Sequence, residues 1–160
     1  MKISSIDIGT NTILLLIVEA KDGKIAKVLH DEQIIARLGK GVDEHRIINS
    51  ETANRVAEVL YSYRGTSDKY RSEKIIAVGT SALRDASNKR EFCNNMLQRT
   101  GIDIEILSGD EEAEWTYRGA LGDADSAAQI FTVLDIGGGS TEIISGTSKT
   151  LSQKLSLDLG

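Results

Sequence analysis

The spacing of apolar and polar positions changes several times along this 160-residue chain, and each change marks an element. Ile3 to Ile8 runs up to Gly9, and Ile13 to Val18 is an unbroken apolar stretch, the pattern of a central strand covered on both faces. Lys21-Asp22-Gly23-Lys24 reads as a hairpin turn, followed by a third extended stretch from Ile25 to about Ala36. The chain is therefore expected to open as a three-stranded meander before any helix.

Beyond the glycine-bearing loop from Leu38 to Val42, Ser50 is placed to cap a helix whose Ala53, Val56, Ala57, Leu60 and Tyr63 recur at helical spacing. Glu73 to Gly79 predicts a strand, and Ala82 to about Thr100 a helix in two pieces around Ala86 to Asn88. Ile102, Ile104 and Ile106 alternate with Asp103 and Glu105, which fits a strand near a sheet edge. Ser108 and Glu111 form a Ser-x-x-Glu capping box at the start of another helix, with Ala113, Tyr117, Ala120 and Leu121 as its buried face and Glu114 and Arg118 as an exposed pair. That helix fades at Gly122, the small polar stretch Asp123 to Ala128 reads as a linker, and strands resume at Gln129 to Asp135, Thr141 to Ser145 and Lys149 to Ser156.

The second run of strands begins as the first did. IDIGTNT at 6 to 12 and LDIGGGST at 134 to 141 both place Asp-Ile-Gly at a strand end, followed by small residues and a hydroxyl. Two lobes of like design are implied, a first at residues 1–125 and the opening strands of a second at 126–160.

Composition narrows the function. With 40 % hydrophobic and 27 % charged residues the chain has the balance of a globular domain, and its longest apolar run of six residues, Ile13 to Val18, is far short of the roughly 20 that span a bilayer. Strand residues start at Lys2 or Ile3, which leaves no room for a secretory segment, so a cytoplasmic protein without a membrane partner is expected. A net charge of -5 argues against nucleic acid as a partner. Cys93, the single cysteine, sits among Phe92, Met96 and Leu97 and reads as core, while the isolated His30 and His45 offer no zinc spacing.

The chemistry lies in the two turns. An aspartate at a strand end can hold a metal or its water, glycines permit a tight turn, and consecutive backbone N–H groups form a concave anion nest. Asp7, Gly9, Thr10, Asn11 and Thr12 in the first turn, and Gly137, Gly138, Gly139, Ser140 and Thr141 in the second, are the candidate phosphate-binding residues. Two such turns facing each other would clamp a phosphate chain.

Four segments in order, IDIGTNT at 6 to 12, VGTSALRDASN at 78 to 88, ILSGDEEA at 106 to 113 and LDIGGGSTE at 134 to 142, resemble the exopolyphosphatase and guanosine pentaphosphate phosphohydrolase (Ppx/GppA) family. The resemblance implies an α/β fold, a ribonuclease H-like (actin-like ATPase) lobe with a mixed five-stranded sheet flanked by helices. It implies hydrolysis of terminal phosphate from inorganic polyphosphate, or of the 5′ phosphate of guanosine pentaphosphate, with Mg²⁺ as cofactor. Glu112 corresponds to the family's catalytic carboxylate, and Asp135 and Glu142 match its metal-binding acids; Arg84, after the strand ending at Gly79, is the second catalytic candidate, able to offer a planar fork to phosphate oxygens. Without the motif, Glu112 reads as a solvated helix charge, Arg84 as a surface partner of Asp85 or Asp110, and Asp7 either as a mirrored acid or as a cap of its own turn. Lys40, Lys89 and Arg90 read as solvated.

Family members continue beyond the point where SLDLG ends here, so most of a second lobe is expected elsewhere, and the 160 residues alone are expected to turn over little or nothing. Two other readings stay open at this level: a sugar- or acid-kinase relative using ATP, and a non-catalytic phosphate-binding or assembly module. Exposed edges of an unfinished lobe would also allow a homodimer.

Overall fold

The computed structural model describes residues 1–40, 42–122, 124 and 129–160. The chain divides into two compact units, Met1–Ile106 and Leu107–Gly160. The linker expected at 123–128, Ala124 excepted, and the lobe boundary expected between residues 125 and 126 lie outside the described residues.

In the first unit, β1 (Lys2–Ile8), β2 (Thr12–Lys21) and β3 (Lys24–Ile35) form the expected meander. Asp22 and Gly23, both at positive φ, make the tight link between β2 and β3. A short helix, α1 (Val42–His45), precedes α2 (Ser50–Tyr70), and then come β4 (Lys74–Gly79), α3 (Ser81–Asp85), α4 (Lys89–Thr100) and β5 (Ile104–Ile106). The sheet order is β3-β2-β1-β4-β5; β1 runs antiparallel to β2 and parallel to β4, and β5 is an edge, as its wet face predicts. This is the mixed five-stranded sheet expected from the sequence.

Strand alternation decides what faces the core. Ser4, Ile6 and Ile8 of β1 and Ile13, Leu15 and Ile17 of β2 share one buried face, against Val56, Leu60 and Tyr63 of α2 and Phe92 and Met96 of α4. Asp7, between Ile6 and Ile8, therefore faces the other way, in register with Leu14 and Val78. That second face is less fully covered than the apolar run suggests, since Leu14 is 40 % exposed.

The helix ends differ in detail from expectation. Asn49, not Ser50, caps α2: its Oδ1 accepts from the Thr52 N–H at 2.8 Å, and Ser50 is the first helical residue. The break between α3 and α4 falls where expected, with Ala86 extended. Cys93 is half-buried beside Phe92 and Met96, and burial, with Asp103 nearby, pushes its thiol pKa up; Leu97, expected on the same face, is 43 % exposed. His30 is structural, its Nε2 3.0 Å from Glu32 and its ring against Tyr70.

The second unit holds α5 (Gly109–Leu121) and an antiparallel sheet of β6 (Phe131–Ile136), β7 (Thr141–Gly146) and β8 (Leu151–Leu157) in that order. The capping box is present: Ser108 Oγ accepts from the Glu111 N–H at 3.2 Å, and Glu111 accepts from the Ser108 N–H at 2.9 Å. Those bonds to Ser108 hold the Glu111 carboxyl below its usual range. Ala113 and Tyr117 pack on Ile144, Phe131, Val133 and Leu151, whereas Ala120, expected on this face, is exposed. No helix among the described residues is long and apolar enough to cross a membrane.

The Tyr63 hydroxyl donates to the Ile13 carbonyl at 2.9 Å, tying α2 to the residue that follows the first turn. Burial, reinforced by Glu32, pushes its pKa from 10.0 up to about 12. The unfolded chain ionises first, so this group's contribution to stability is whole below pH 10 and is lost as pH rises through about 12. Tyr63→Phe is expected to cost about 1 kcal/mol at neutral pH and to flatten the loss of stability at alkaline pH, as read from urea unfolding midpoints.

Candidate functional site

The first turn is closed by the Gly9 N–H, which donates to the Thr12 carbonyl at 3.0 Å. A Cβ at Gly9 would lie 3.1 Å from that same oxygen, so glycine allows the close approach without crowding. Thr10 is almost fully buried, and its hydroxyl pairs with the Ser81 hydroxyl at 2.9 Å. The Thr10 and Asn11 carbonyls accept from Gly39, and from Ala36 and Arg37, at 2.8–3.0 Å, which staples the loop after β3 to the turn. Asn11 is exposed and Thr12 half-buried at the start of β2.

The Thr10–Ser81 pair joins this turn to α3, the helix that carries Arg84. The Thr80 N–H also donates to the Ile8 carbonyl at 3.3 Å, so β1, β4 and α3 meet at the carboxyl ends of the parallel strands, where open α/β sheets bind ligands. Arg84 is half-buried, and its carbonyl accepts from the Lys89 ammonium. Lys89, expected to be solvated, instead fastens the end of α3. Asp85 is 3.8 Å from Arg46, and Asp110 is 2.8 Å from Lys154.

The second turn repeats the first. The Gly137 N–H donates to the Ser140 carbonyl at 2.8 Å, and a Cβ on Gly137 would again lie 3.1 Å from the oxygen it bonds. The Asp135–Glu142 pair in register corresponds to Asp7–Leu14 in the first unit. Ser140 is buried, Gly138 is exposed and Gly139 half-buried; the Thr141 hydroxyl donates to the Leu159 carbonyl at 2.6 Å, and Gly160 lies close against the Gly138–Gly139 peptide.

Asp135 and Glu142 stand opposite each other on neighbouring strands, and Ser156 of β8 continues their row. Glu142 is 1 % exposed and accepts from the Ser156 hydroxyl at 2.8 Å; Asp135 accepts from the Thr116 hydroxyl of α5 at 3.3 Å. Gly109, the first residue of the same helix, approaches Ser156 so closely that a Cβ would lie 3.3 Å from its Oγ. Gly109, Glu112 and Thr116 follow at i, i+3 and i+7, so half-buried Glu112 lies on the helix stripe that meets this row.

The candidate residues thus fall into two sets: Asp7, the first turn and Arg84 in the first unit, and Glu112, Asp135, Glu142 and the second turn in the second. Among the described residues no three His, Cys, Asp or Glu side chains converge as a metal cage. Two carboxylates side by side still suit Mg²⁺, which takes one or two such ligands and keeps waters for the rest. Residue spacing did not single out Ser81, Ser156 or Lys89. Ser81 and Lys89 sit in or beside the VGTSALRDASN segment, and Ser156 shares the strand period that points it toward Glu142, but neither signal gives a contact.

Comparison with known proteins agrees with this architecture. Residues 16–160 match the Ppx/GppA phosphatase family. The chain is 38 % identical, over 98 % of its length and 25 % of the relative, to a bifunctional 3-dehydroquinate synthase/phosphatase of Fusobacterium nucleatum. It is 36 % identical to exopolyphosphatase 2 of Mycobacterium tuberculosis, over 99 % of this chain and 52 % of the relative. The crystal structure of an exopolyphosphatase from Cytophaga hutchinsonii superimposes with a TM-score of 0.93 at 34 % identity, over 100 % of this chain and 51 % of that one. The chain thus spans about half the length of these two exopolyphosphatases.

A side chain at position 39 tests the stapled first turn. A Cβ there would lie 2.4 Å from Thr10 Cγ2, so Gly39→Ala must displace Thr10 and strain its pairing with Ser81. It is expected to lower unfolding free energy by about 1–3 kcal/mol in urea titrations, while Gly65→Ala, with open space around it, loses none.

Proposed function

Because the chain belongs to the Ppx/GppA phosphatase family, we propose that it carries phosphate-binding and catalytic groups of a hydrolase that removes the terminal phosphate of an anionic phosphate chain. Inorganic polyphosphate is the first substrate and the 5′ phosphate of guanosine pentaphosphate the second. The observation that carries the reading is the row of Asp135, Glu142 and Ser156 under the Glu112 stripe of α5, beside a glycine turn closed like that of the first unit.

In this reading backbone N–H groups of the glycine turns bind phosphate oxygens of the chain, and the Arg84 guanidinium can offer a planar fork to such oxygens. Glu112 takes a proton from a water as that water attacks phosphorus. A bond from the water oxygen to phosphorus forms, the bond to the bridging oxygen breaks, and the shortened chain leaves with the electron pair while orthophosphate is released. Asp135 and Glu142 would hold Mg²⁺, which supplies charge neutralisation to the phosphate oxygens. Thr116 and Ser156 orient the two carboxylates for that task.

In the full-length protein, Glu112→Gln is expected to lower the rate of phosphate release by about 10²–10⁴-fold while polyphosphate binding persists. Release is measured with polyphosphate and guanosine pentaphosphate, each with and without Mg²⁺. An unchanged rate in the variant removes Glu112 from the reaction, and ATP-dependent phosphorylation of a small acceptor without hydrolysis makes the protein a kinase.

A further inference from the structure

We propose that a cationic recess on the first unit, formed by Arg37, Lys40 and Arg55, is a second anion site that takes further phosphates of a chain seated at the Gly9–Thr12 turn. The inference rests on the reading of those turns as phosphate-binding and adds a contact that would make affinity depend on chain length.

The recess, about 350 Å³ in volume, is lined by Ile35, Arg37, Lys40 and Arg55. Three cations therefore border one open space, and Glu51 lies 3.5 Å from Arg55 Nη1. Like charges brought together repel, and a multivalent anion between them relieves that repulsion. Arg55 is held in place: its Nε donates to the Ala36 carbonyl at 2.7 Å and its Nη2 to Thr52 Oγ1 at 3.2 Å. Arg37 and Lys40 are exposed and sit at the two ends of a short turn closed by the Lys40 N–H to the Arg37 carbonyl at 3.2 Å.

The recess belongs beside the first turn through bonds within the same unit. Arg37, Ala36 and Gly39 each donate a backbone N–H to Asn11 or Thr10 carbonyls, and Ile35 is in register with Thr12. An extended polyanion seated at the Gly9–Thr12 turn thus has cations next to it along the β3 edge. Arg37 is bonded through its N–H to the Asn11 carbonyl of the candidate phosphate turn, and Arg55 to the Ala36 carbonyl beside it. The chemistry selects phosphate chains long enough to extend from the Gly9–Thr12 turn to these cations.

Isothermal titration calorimetry of the protein with tripolyphosphate and with long-chain polyphosphate separates the outcomes. The double variant Arg37→Ala/Lys40→Ala is expected to weaken the long chain by about tenfold or more, since each lost bond joins a charged donor to a charged acceptor, while tripolyphosphate affinity is kept. Lys40→Gln alone should show a smaller loss with the same length dependence, which guards against a folding defect in the double variant. Unchanged affinity for the long chain in the variants overturns the second site, as does an equal loss for both lengths. If neither polyphosphate binds the unsubstituted protein, the reading of the turns fails as well, and the two failures are distinguishable.

Discussion

Each of the two turns is closed by a backbone hydrogen bond across so little space that a side chain on its first residue would crowd the accepting oxygen. Gly9 to Thr12 and Gly137 to Ser140 use the same closure with the same 3.1 Å clearance for a missing Cβ. That constraint fixes much of what surrounds it. It ends a strand two residues after an aspartate and reverses the chain at once, so the next strand pairs in register with the first. Asp7 and Asp135 are thereby carried at the strand ends, beside backbone N–H groups.

What differs between the copies is the use of the surroundings. In the first unit Leu14 stands opposite Asp7, and the turn is tied sideways to α3 through Thr10 and Ser81 and to the loop after β3 through backbone bonds. In the second unit a glutamate stands opposite the aspartate. Two carboxylates directly across a ladder repel, and a nearly fully buried Glu142 adds the cost of removing a charge from water. One hydroxyl for each, from Thr116 and Ser156, satisfies part of their accepting capacity and leaves lone pairs over. A cation between them would offset both costs, which is the physical case for a divalent metal on these side chains.

The order of strands and helices was legible because the apolar period changes cleanly at Gly9, Gly23, Gly79 and Ser108. The capping box and the split between α3 and α4 were equally readable, being local. Features set by tertiary contact were not. Asn49 wins the cap of α2 over Ser50 by one residue, and the exposure of Leu97, Ala120 and Leu14 depends on which neighbours cover each face. For the site, the resemblance singled out Asp135, Glu142 and Glu112, and the strand ending at Gly79 pointed to Arg84. The hydroxyls and the ammonium that hold the elements around them, Ser81, Ser156 and Lys89, come from residues distant in sequence or paired through the fold, and a linear pattern cannot name such partners.

The account stands on the two turns being phosphate cradles, and amide NMR reads them directly. Titrating the ¹⁵N-labelled protein with tripolyphosphate in the presence of Mg²⁺ should give saturable shifts of the backbone N–H signals of Gly9 to Thr12 and of Gly137 to Thr141. Saturable shifts confined to other parts of the chain, or no shifts at all, would contradict it.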